Sequence, residues 1–179
     1  MEFIEEPDRD FCWEIASDCP WSTFFQSPLW HEMVAGTRDE LESSPLGFIL
    51  ENGTRGYLPL LERPVEGQGL VRRYDSTYGS CYGGLVADGE VPQEELAEVI
   101  DQVKGPKVAR IQLNGNPLSE LSVDCDEFDS TWEDFTQIIS LEPSWDDIVA
   151  DFSRGHRSSM NKAKREGGEV AEEWGIDDY

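Results

Sequence analysis

Apolar positions recur at helical spacing in two segments of the first two thirds of the chain. The first helix is predicted at 27–36, because Ser27 is a suitable N-cap and Gly36 follows the last apolar position. The second helix is predicted at 92–104, and it ends before Gly105. The faces expected to pack inward are Leu29, Trp30, Met33 and Val34 in the first helix and Leu96, Val99, Ile100 and Val103 in the second.

Alternating apolar residues around a turn signal predict a β-hairpin between these helices. Segments 46–50 and 56–61 flank Asn52-Gly53, a pair that accepts the positive φ angles of a tight turn. Pro59 cannot donate to a strand ladder, so it implies an edge position or a bulge. Further strand-like segments are 68–87, which small residues interrupt, 108–113 and 135–141.

The last predicted helix is the longest. It begins after Ser144, with Asp147 at the capping-box position, and ends before Gly167. Its expected apolar face comprises Trp145, Ile148, Val149, Phe152, His156, Met160 and Ala163. His156 is therefore predicted to be a core histidine rather than a general base, and His31 has a weaker case still for catalysis.

The order of these elements predicts a mixed α/β fold, of the α+β type with a mixed sheet and flanking helices. Hairpins are more evident than strict βαβ repeats. The length of 179 residues suits one domain with a sizeable core. The 19 aromatic residues (6 Trp, 5 Tyr and 8 Phe) favour a packed interior, because a disordered chain of this charge would have few of them.

The chain is strongly acidic, with 38 Asp and Glu against 14 Lys and Arg and a formal net charge of −24. Carboxylates hold water, and salt screens their mutual repulsion. This composition therefore favours a salt-adapted, halophilic host. An ordinary acidic protein is the alternative.

The four cysteines and two histidines have no metal-ligand spacing, so zinc is not expected. The opening residues MEFIEEPDRD lack the basic and apolar regions of a signal peptide. A run of about 18 apolar residues, which a membrane span requires, is also missing. We expect a cytoplasmic protein with reduced thiols.

Five cations without a single acid occupy residues 154–165: Arg154, Arg157, Lys162, Lys164 and Arg165. A solvated helix face is the simple interpretation. Cations are scarce in this chain, however, and a phosphate-bearing or other anionic ligand would make use of them. Extended nucleic-acid binding is not expected, because the overall negative field repels a polyanion.

Glycines, hydroxyls and tyrosines are concentrated in residues 74–84. Glycines let the backbone approach a ligand, and tyrosines supply flat contact area. A tight connection between strands is the alternative interpretation. The sequence has no nucleotide-binding loop of the G-x-x-x-x-G-K-S/T or G-x-G-x-x-G type.

The order of several segments resembles the first lobe of Fem-type transferases, the FemAB group within the GNAT-like superfamily. The matching segments are, in order, TFFQSPLW (23–30), GYLPLL (56–61), YGSCYGGLV (78–86), a strand ending at Leu141, and a helix closing with HRSSMNKAKREGGEV (156–170). The most specific of them is the R-x-x-x-N-K-A-x-x-x-G-G-x-V ending, from Arg157 to Val170.

This resemblance implies an acyltransferase that moves an acyl group from aminoacyl-tRNA or acyl-CoA onto an amine. It implies two GNAT-like lobes, each a mixed sheet flanked by helices. Tyr82, Arg157 and Lys162 would line the acceptor side of the cleft between lobes, and Arg165 would assist with an anion. No residue is assigned as catalytic. In a salt-adapted host, a sugar amine, a peptide or a small metabolite is the expected acceptor.

The resemblance covers one lobe only. We expect residues 1–171 to form that lobe and residues 172–179 to begin a connection, so that activity requires a second GNAT-like lobe or a homodimer partner. The Arg/Gln-x-x-Gly-x-Gly/Ala loop by which ordinary GNAT enzymes hold the CoA pyrophosphate is missing from the sequence. The alternatives are a non-catalytic module that binds an anionic partner through helix 154–165, and a nucleic-acid-associated protein that holds an RNA end.

The acidic composition predicts that salt stabilises the protein. Raising the KCl concentration from about 0.1 M to about 1 M shortens the screening length from roughly 10 Å to 3 Å and so weakens repulsion between carboxylates. We expect the melting temperature, followed by circular dichroism, to rise over this range. A melting temperature that falls would contradict salt adaptation.

Overall fold

The chain divides into two units, Met1–Glu133 and Asp134–Tyr179. The computed structural model of the protein describes residues 1–65, 70–119, 121 and 128–168. The predicted connection at 172–179 lies outside these residues. Helices and strands are mixed along the chain, which confirms the α+β fold class.

Two four-stranded sheets form the framework of the first unit. The first sheet contains, in spatial order, β1 (Glu2–Ile4), β3 (Leu46–Ile49), β4 (Arg55–Leu58) and β7 (Val86–Ala87), all antiparallel. The second sheet contains, in spatial order, β2 (Glu42–Ser43), β5 (Leu61–Pro64), β6 (Arg72–Asp75) and β8 (Val108–Gln112). Strands β6 and β8 are parallel, and the other pairs of this sheet are antiparallel.

The predicted hairpin is confirmed as β3 and β4, which pair from Leu46 with Leu58 to Ile49 with Arg55. Gly53 adopts a φ of 89°, as the turn requires. The side chain of Asn52 accepts a hydrogen bond from the Thr54 N–H at 2.9 Å and holds the turn closed.

Pro59 lies in neither an edge strand nor a bulge, so that prediction is wrong. With Leu60 it separates β4 from β5, at the point where the chain passes from the first sheet to the second. A residue without an N–H is tolerated here because no ladder passes through it.

A helical crossover links the parallel strands of the second sheet. The predicted helix 92–104 is confirmed as α3 (Gln93–Val103), and strand 108–113 is confirmed as β8. The described part of segment 68–87 resolves into β6 and β7, with irregular backbone between them. The parallel ladder of β6 and β8 is irregular between Arg72 and Arg73.

Two helices and a short 3-10 turn precede the hairpin. Helix α1 (Arg9–Asp18), which the sequence analysis did not predict, begins where the Asp8 carboxylate accepts a hydrogen bond from the Phe11 N–H at 2.7 Å. The 3-10 turn Phe24–Gln26 leads into α2 (Pro28–Thr37), for which Ser27 is the N-cap, as predicted. The predicted inward face of α2 is wrong in part, because Leu29 and Met33 are exposed.

The main apolar core lies between the first sheet and α3. Its buried members are Leu46, Phe48, Leu50, Leu58, Leu60, Leu85, Ala87, Val91, Leu96, Val99 and Ile100. A second cluster packs α1 against the opposite side of the same sheet through Cys12, Ile15, Cys19, Tyr57 and Val86. Within the described residues, no helix is long and apolar enough to cross a membrane.

In the second unit, the long helix predicted from Ser144 onward is broken. Helix α4 spans Trp145–Asp151 and α5 spans Arg154–Arg165. The break occurs at Phe152 and Ser153, because the Ser153 hydroxyl accepts a hydrogen bond from the His156 N–H at 3.2 Å and caps a new helix.

The strand predicted at 135–141 does not form. These residues belong to no ladder of the described chain, and their side chains are exposed, with Phe135 at 87% and Leu141 at 82%. Apolar, β-branched composition favours a strand only when a neighbouring strand accepts its hydrogen bonds.

The two histidines lie in different environments. His156 is exposed and contacts Phe152 edge to face, with ring centroids 6.2 Å apart, so its assignment to the core is wrong. His31 on α2 is the buried one, with 2% of its surface exposed. Burial lowers the pKa of His31 to about 4, while the backbone of Leu60 and of Phe25 acts in the opposite direction. Neither ring nitrogen, however, has a hydrogen-bond partner of good geometry.

Replacing Gly56 by alanine should destabilise the first sheet. A Cβ atom there would overlap the ring of Phe48, which is fully buried. Overpacking of this kind costs about 1–3 kcal/mol. The matched change Gly36→Ala on α2 meets open space and should stabilise by about 0.5–1 kcal/mol. Urea unfolding of both variants checks this, and equal effects would show that the Phe48 contact is misplaced.

Burial of His31 should make stability depend on pH. Because its folded-state pKa of about 4 lies below its unfolded value, the neutral ring contributes fully above pH ~6.5, and this contribution is lost as the pH falls towards 4. The free energy of unfolding of the wild type minus that of His31→Gln should therefore fall by about 3 kcal/mol over this interval. A pH-independent difference would contradict the buried neutral imidazole.

Candidate functional site

The fully buried side chain of Gln26 joins distant segments of the first unit. It occupies the end of the 3-10 turn, where its Oε1 accepts a hydrogen bond from the Thr23 N–H at 3.2 Å. Its Nε2 donates to the Gly84 carbonyl at 3.4 Å. Asn116 Nδ2 donates to Gln26 Oε1 at 2.9 Å and to the Trp21 carbonyl at 2.7 Å. All polar atoms of this amide are therefore used within the protein.

The backbone of Gln26 is held as firmly as its side chain. The buried hydroxyl of Tyr57 on β4 donates to the Gln26 carbonyl at 2.7 Å. Burial raises the pKa of Tyr57, so the phenol keeps the proton that this bond needs. We call Gln26 together with Gly84, Asn114, Asn116 and Tyr57 the glutamine junction.

The glycine-rich segment is anchored to the residues that follow β8. Ser76 Oγ accepts from the Asn114 N–H at 2.9 Å, and Asn114 Nδ2 donates to the Cys81 carbonyl at 3.3 Å. The Gly83 N–H donates to the Asn114 carbonyl at 3.2 Å. A Cβ atom on Gly83 would overlap Ser76, so this close approach requires glycine.

These anchors lie at the carboxyl ends of the parallel strands. The Ser76 N–H continues the β6–β8 ladder by donating to the Gln112 carbonyl at 2.9 Å, and both chains leave the sheet just beyond. In sheets with parallel strands, ligands bind preferentially outside these ends. The glutamine junction therefore stands where a binding site is expected.

Tyr82, which the sequence analysis selected, contacts the aromatic residues that precede α2. Its half-buried ring meets Phe25 edge to face, with centroids 6.2 Å apart. Phe25 in turn contacts Trp30 at 5.1 Å, and Phe24 contacts Trp30 at 5.8 Å. Edge-to-face pairs of this kind fix ring orientation. Tyr82 is thus part of an aromatic wall beside the glutamine junction.

The side chains that form the glutamine junction are themselves uncharged. Burial raises the pKa of Cys81 and, to about 12, that of Cys12, so neither thiol is an activated nucleophile. The hydroxyl of Thr77 and the indole N–H groups of Trp21 and Trp30 are buried without a partner. This arrangement can orient an uncharged reactant, but neither thiol supplies a nucleophile for covalent catalysis.

The other three predicted site residues, Arg157, Lys162 and Arg165, lie on α5 in the second unit. No residue of this helix is buried. Arg157 donates to the Ala150 carbonyl, and Lys162 Nζ lies 3.8 Å from the Glu166 carboxylate. A shallow cleft of about 120 Å³ includes Arg157 and Lys164 in its lining, beside Trp145 and Asn161. Exposed pairs of this kind leave the cations accessible to an anion.

The sequence analysis missed Gln26, Asn114 and Asn116. Gln26 lies between Phe25 and Ser27 in TFFQSPLW, and Asn114-Gly-Asn116-Pro follows soon after a strand. These signals indicate a turn, but not the partners. Within the described residues, no group of three or more His, Cys, Asp or Glu side chains could hold a metal ion.

The comparisons with known proteins identify no relative of the chain. No protein-family model, curated protein or solved structure matches the chain at a significant level.

Proposed function

We propose that the chain is a lobe of a Fem-like, GNAT-related acyltransferase that moves an acyl or aminoacyl group onto an amine. The observation that carries this proposal is the convergence of two of the resembling segments. TFFQSPLW and YGSCYGGLV, which are far apart in the sequence, meet through the bond from Gln26 to Gly84 and the contact of Phe25 with Tyr82.

The aromatic wall beside the glutamine junction supports binding of the acceptor amine in this proposal. Transfer requires an uncharged amine held in line with the acyl carbonyl. Neutral surroundings disfavour the ammonium form, which cannot attack, and the Tyr82 ring offers a flat surface beside the glycine-rich backbone. In this proposal Tyr82 contacts the acceptor, a sugar amine, a peptide or a small metabolite.

The cations of α5 support binding of an anionic reactant. Acyl-CoA and aminoacyl-tRNA both carry phosphates, for which Arg and Lys are the usual protein partners. Arg165 has this task by the resemblance. We extend it to Arg157 and Lys162, which the resemblance places on the acceptor side, because they lie on the same exposed helix. A second GNAT-like lobe, from another chain or from a second copy, completes the active site in this proposal, as in the family that the sequence resembles.

Acyl transfer by the full chain tests the proposal. Labelled acetyl-CoA and aminoacyl-tRNA are offered with amino sugars, peptides and polyamines, with and without the polypeptide that supplies the second lobe. We expect transfer only when both lobes are present. Tyr82→Ala should reduce the rate by about tenfold, equivalent to roughly 1.4 kcal/mol.

The neighbouring change Tyr78→Ala is the matched control for Tyr82. Tyr78 belongs to the same segment, but its ring contacts the Arg38 guanidinium at 5.1 Å instead of the aromatic wall. This variant should keep the wild-type rate. Absence of transfer from either donor in every combination would reject the proposal, and turnover by the chain alone would reject the need for a second lobe.

A non-catalytic anion-binding module is the second candidate, and the exposure of α5 favours it. Because no side chain of α5 is buried, its five cations are available to a partner without any change in the core. In this case the helix itself would be the whole functional site.

Charge reversal on α5 tests the second candidate. The double change Arg157→Glu with Lys162→Glu should abolish retention on an anionic probe such as inorganic polyphosphate, and should leave the melting temperature unchanged. Lys104→Glu with Lys107→Glu alters the charge equally at exposed positions outside the helix and should retain the probe. Equal loss in both variants would indicate a general charge effect. Polyphosphate binding without acyl transfer would favour the module.

A further inference from the structure

Three arginines lie side by side across the second sheet. Arg63 on β5 is directly opposite Arg73 on β6, and Arg73 is in turn the register partner of Arg110 on β8. Residues in register project from the same face of a sheet. Neighbouring strands are about 4.8 Å apart, so these three residues, which we call the arginine row, extend over roughly 10 Å.

The arginine row is unfavourable for the sheet by itself. Like charges directly opposite one another destabilise a pair of strands. Only 14 of the 179 residues are Lys or Arg, so the chain places three of its few cations where they repel each other. Departures of this kind from the usual rules of pairing are expected mainly at functional sites.

The positive charge of the row is only partly balanced within the described residues. Arg63 Nη2 lies 3.3 Å from the Asp75 carboxylate on the same face. Arg110 donates a hydrogen bond to the uncharged amide of Gln112, and Arg73 has no ion pair in the described part of the chain. Three guanidinium groups therefore face one carboxylate.

The arginine row is accessible to a ligand. Arg110 is exposed, Arg73 is half-buried, and 38% of the Arg63 side chain is exposed. On the same face, Leu61 is buried against Val34 of α2, so a packed apolar contact borders the row. The row is thus fixed at one end by packing and open to solvent at the other.

We propose that the arginine row binds a small molecule with two or three carboxylate groups. The planar fork of a guanidinium matches a carboxylate, and the contact of Arg63 with Asp75 shows that this face accommodates one. Carboxylates on neighbouring carbons of a short chain can be spaced like the strands, whereas condensed phosphates hold their charges closer together. The row belongs to the first unit and α5 to the second, and the proposal does not depend on acyl transfer.

Calorimetric titration of the full chain tests this site. The probe is propane-1,2,3-tricarboxylate, and butyrate, which is propane with a single carboxylate, is the control ligand. At about 0.1 M KCl, where charges this close are only partly screened, the tricarboxylate should bind saturably at one site per chain. Butyrate should bind about tenfold more weakly, because it can engage fewer of the guanidinium groups. The absence of saturable binding would overturn the proposal.

Two arginines of β6 distinguish the row from a general charge effect. Arg73→Gln removes the central guanidinium and should weaken tricarboxylate binding by about tenfold. Arg72→Gln changes the net charge equally, but Arg72 lies on the opposite face of the sheet, where its Nε is 2.6 Å from the Glu62 carboxylate. This variant should bind as the wild type does, and equal loss in both would overturn the proposal. If Arg73→Gln does not fold, Arg110→Gln at the exposed end of the row replaces it.

The cations of α5 are the alternative location for the tricarboxylate. Arg157→Glu with Lys162→Glu leaves the row intact and should preserve binding. Loss in this variant together with normal binding by Arg73→Gln would overturn the proposal and place the site on α5. Inorganic tripolyphosphate, offered to the α5 variant, should bind more weakly than the tricarboxylate, and tighter binding would overturn the assignment to carboxylates.

Discussion

The first unit depends on the requirement that the buried Gln26 amide find a partner for every polar atom. No residue adjacent to Gln26 supplies them all. The Gly84 carbonyl and the Asn116 amide come from segments 58 and 90 positions away. The Tyr57 hydroxyl, from a central strand of the first sheet, holds the backbone carbonyl of the same residue. If the buried amide lost one of these partners, the loss of its hydration would no longer be offset by a hydrogen bond, which would destabilise the fold by about 1–3 kcal/mol. The junction therefore specifies how the 3-10 turn, the glycine-rich segment and the residues after β8 are arranged.

Charged side chains are located differently from the uncharged groups of the junction. Most acids of the described chain are exposed, whereas the junction is built from amides, a phenol hydroxyl and backbone groups. The five cations of α5 belong to the second unit, on a helix without a buried residue. A neutral site and a separate cationic helix are suited to different reactants, an uncharged amine and an anion. For this reason we assign Tyr82 to the uncharged amine and Arg157 to the anion.

Local signals in the sequence predicted the elements that local contacts determine. Ser27 as N-cap, Asn52-Gly53 as turn and the apolar spacing of α3 each act within a few residues, and each prediction is confirmed. The break between α4 and α5 was missed because Ser153 fits the periodicity of one continuous helix. Its hydroxyl can also accept a hydrogen bond from a backbone N–H of the helix, and this second property, which periodicity does not show, begins a new helix.

The candidate site shows where sequence patterns stop being informative. Tyr82 could be selected because its segment is unusual in composition. Gln26 and Asn116 could not be selected, because an amide does not reveal in sequence which distant carbonyl or amide it will meet. Segment 135–141 was predicted wrongly for a related reason, since no strand of the described chain forms a ladder with it. The burial of His31, likewise, depends on the packing of α2 against strands far along the sequence.

The parallel pairing of β6 with β8 has a consequence for the order of folding. Arg72 pairs with Val108, so the chain between them must first close a long loop. Loop closure costs entropy before any contact compensates for it, whereas the β3–β4 hairpin closes a short loop. The hairpin and the helices can therefore form early in folding, whereas the pairing of β6 with β8 forms late. During biosynthesis, the glycine-rich segment remains without its anchors until Asn114 has left the ribosome.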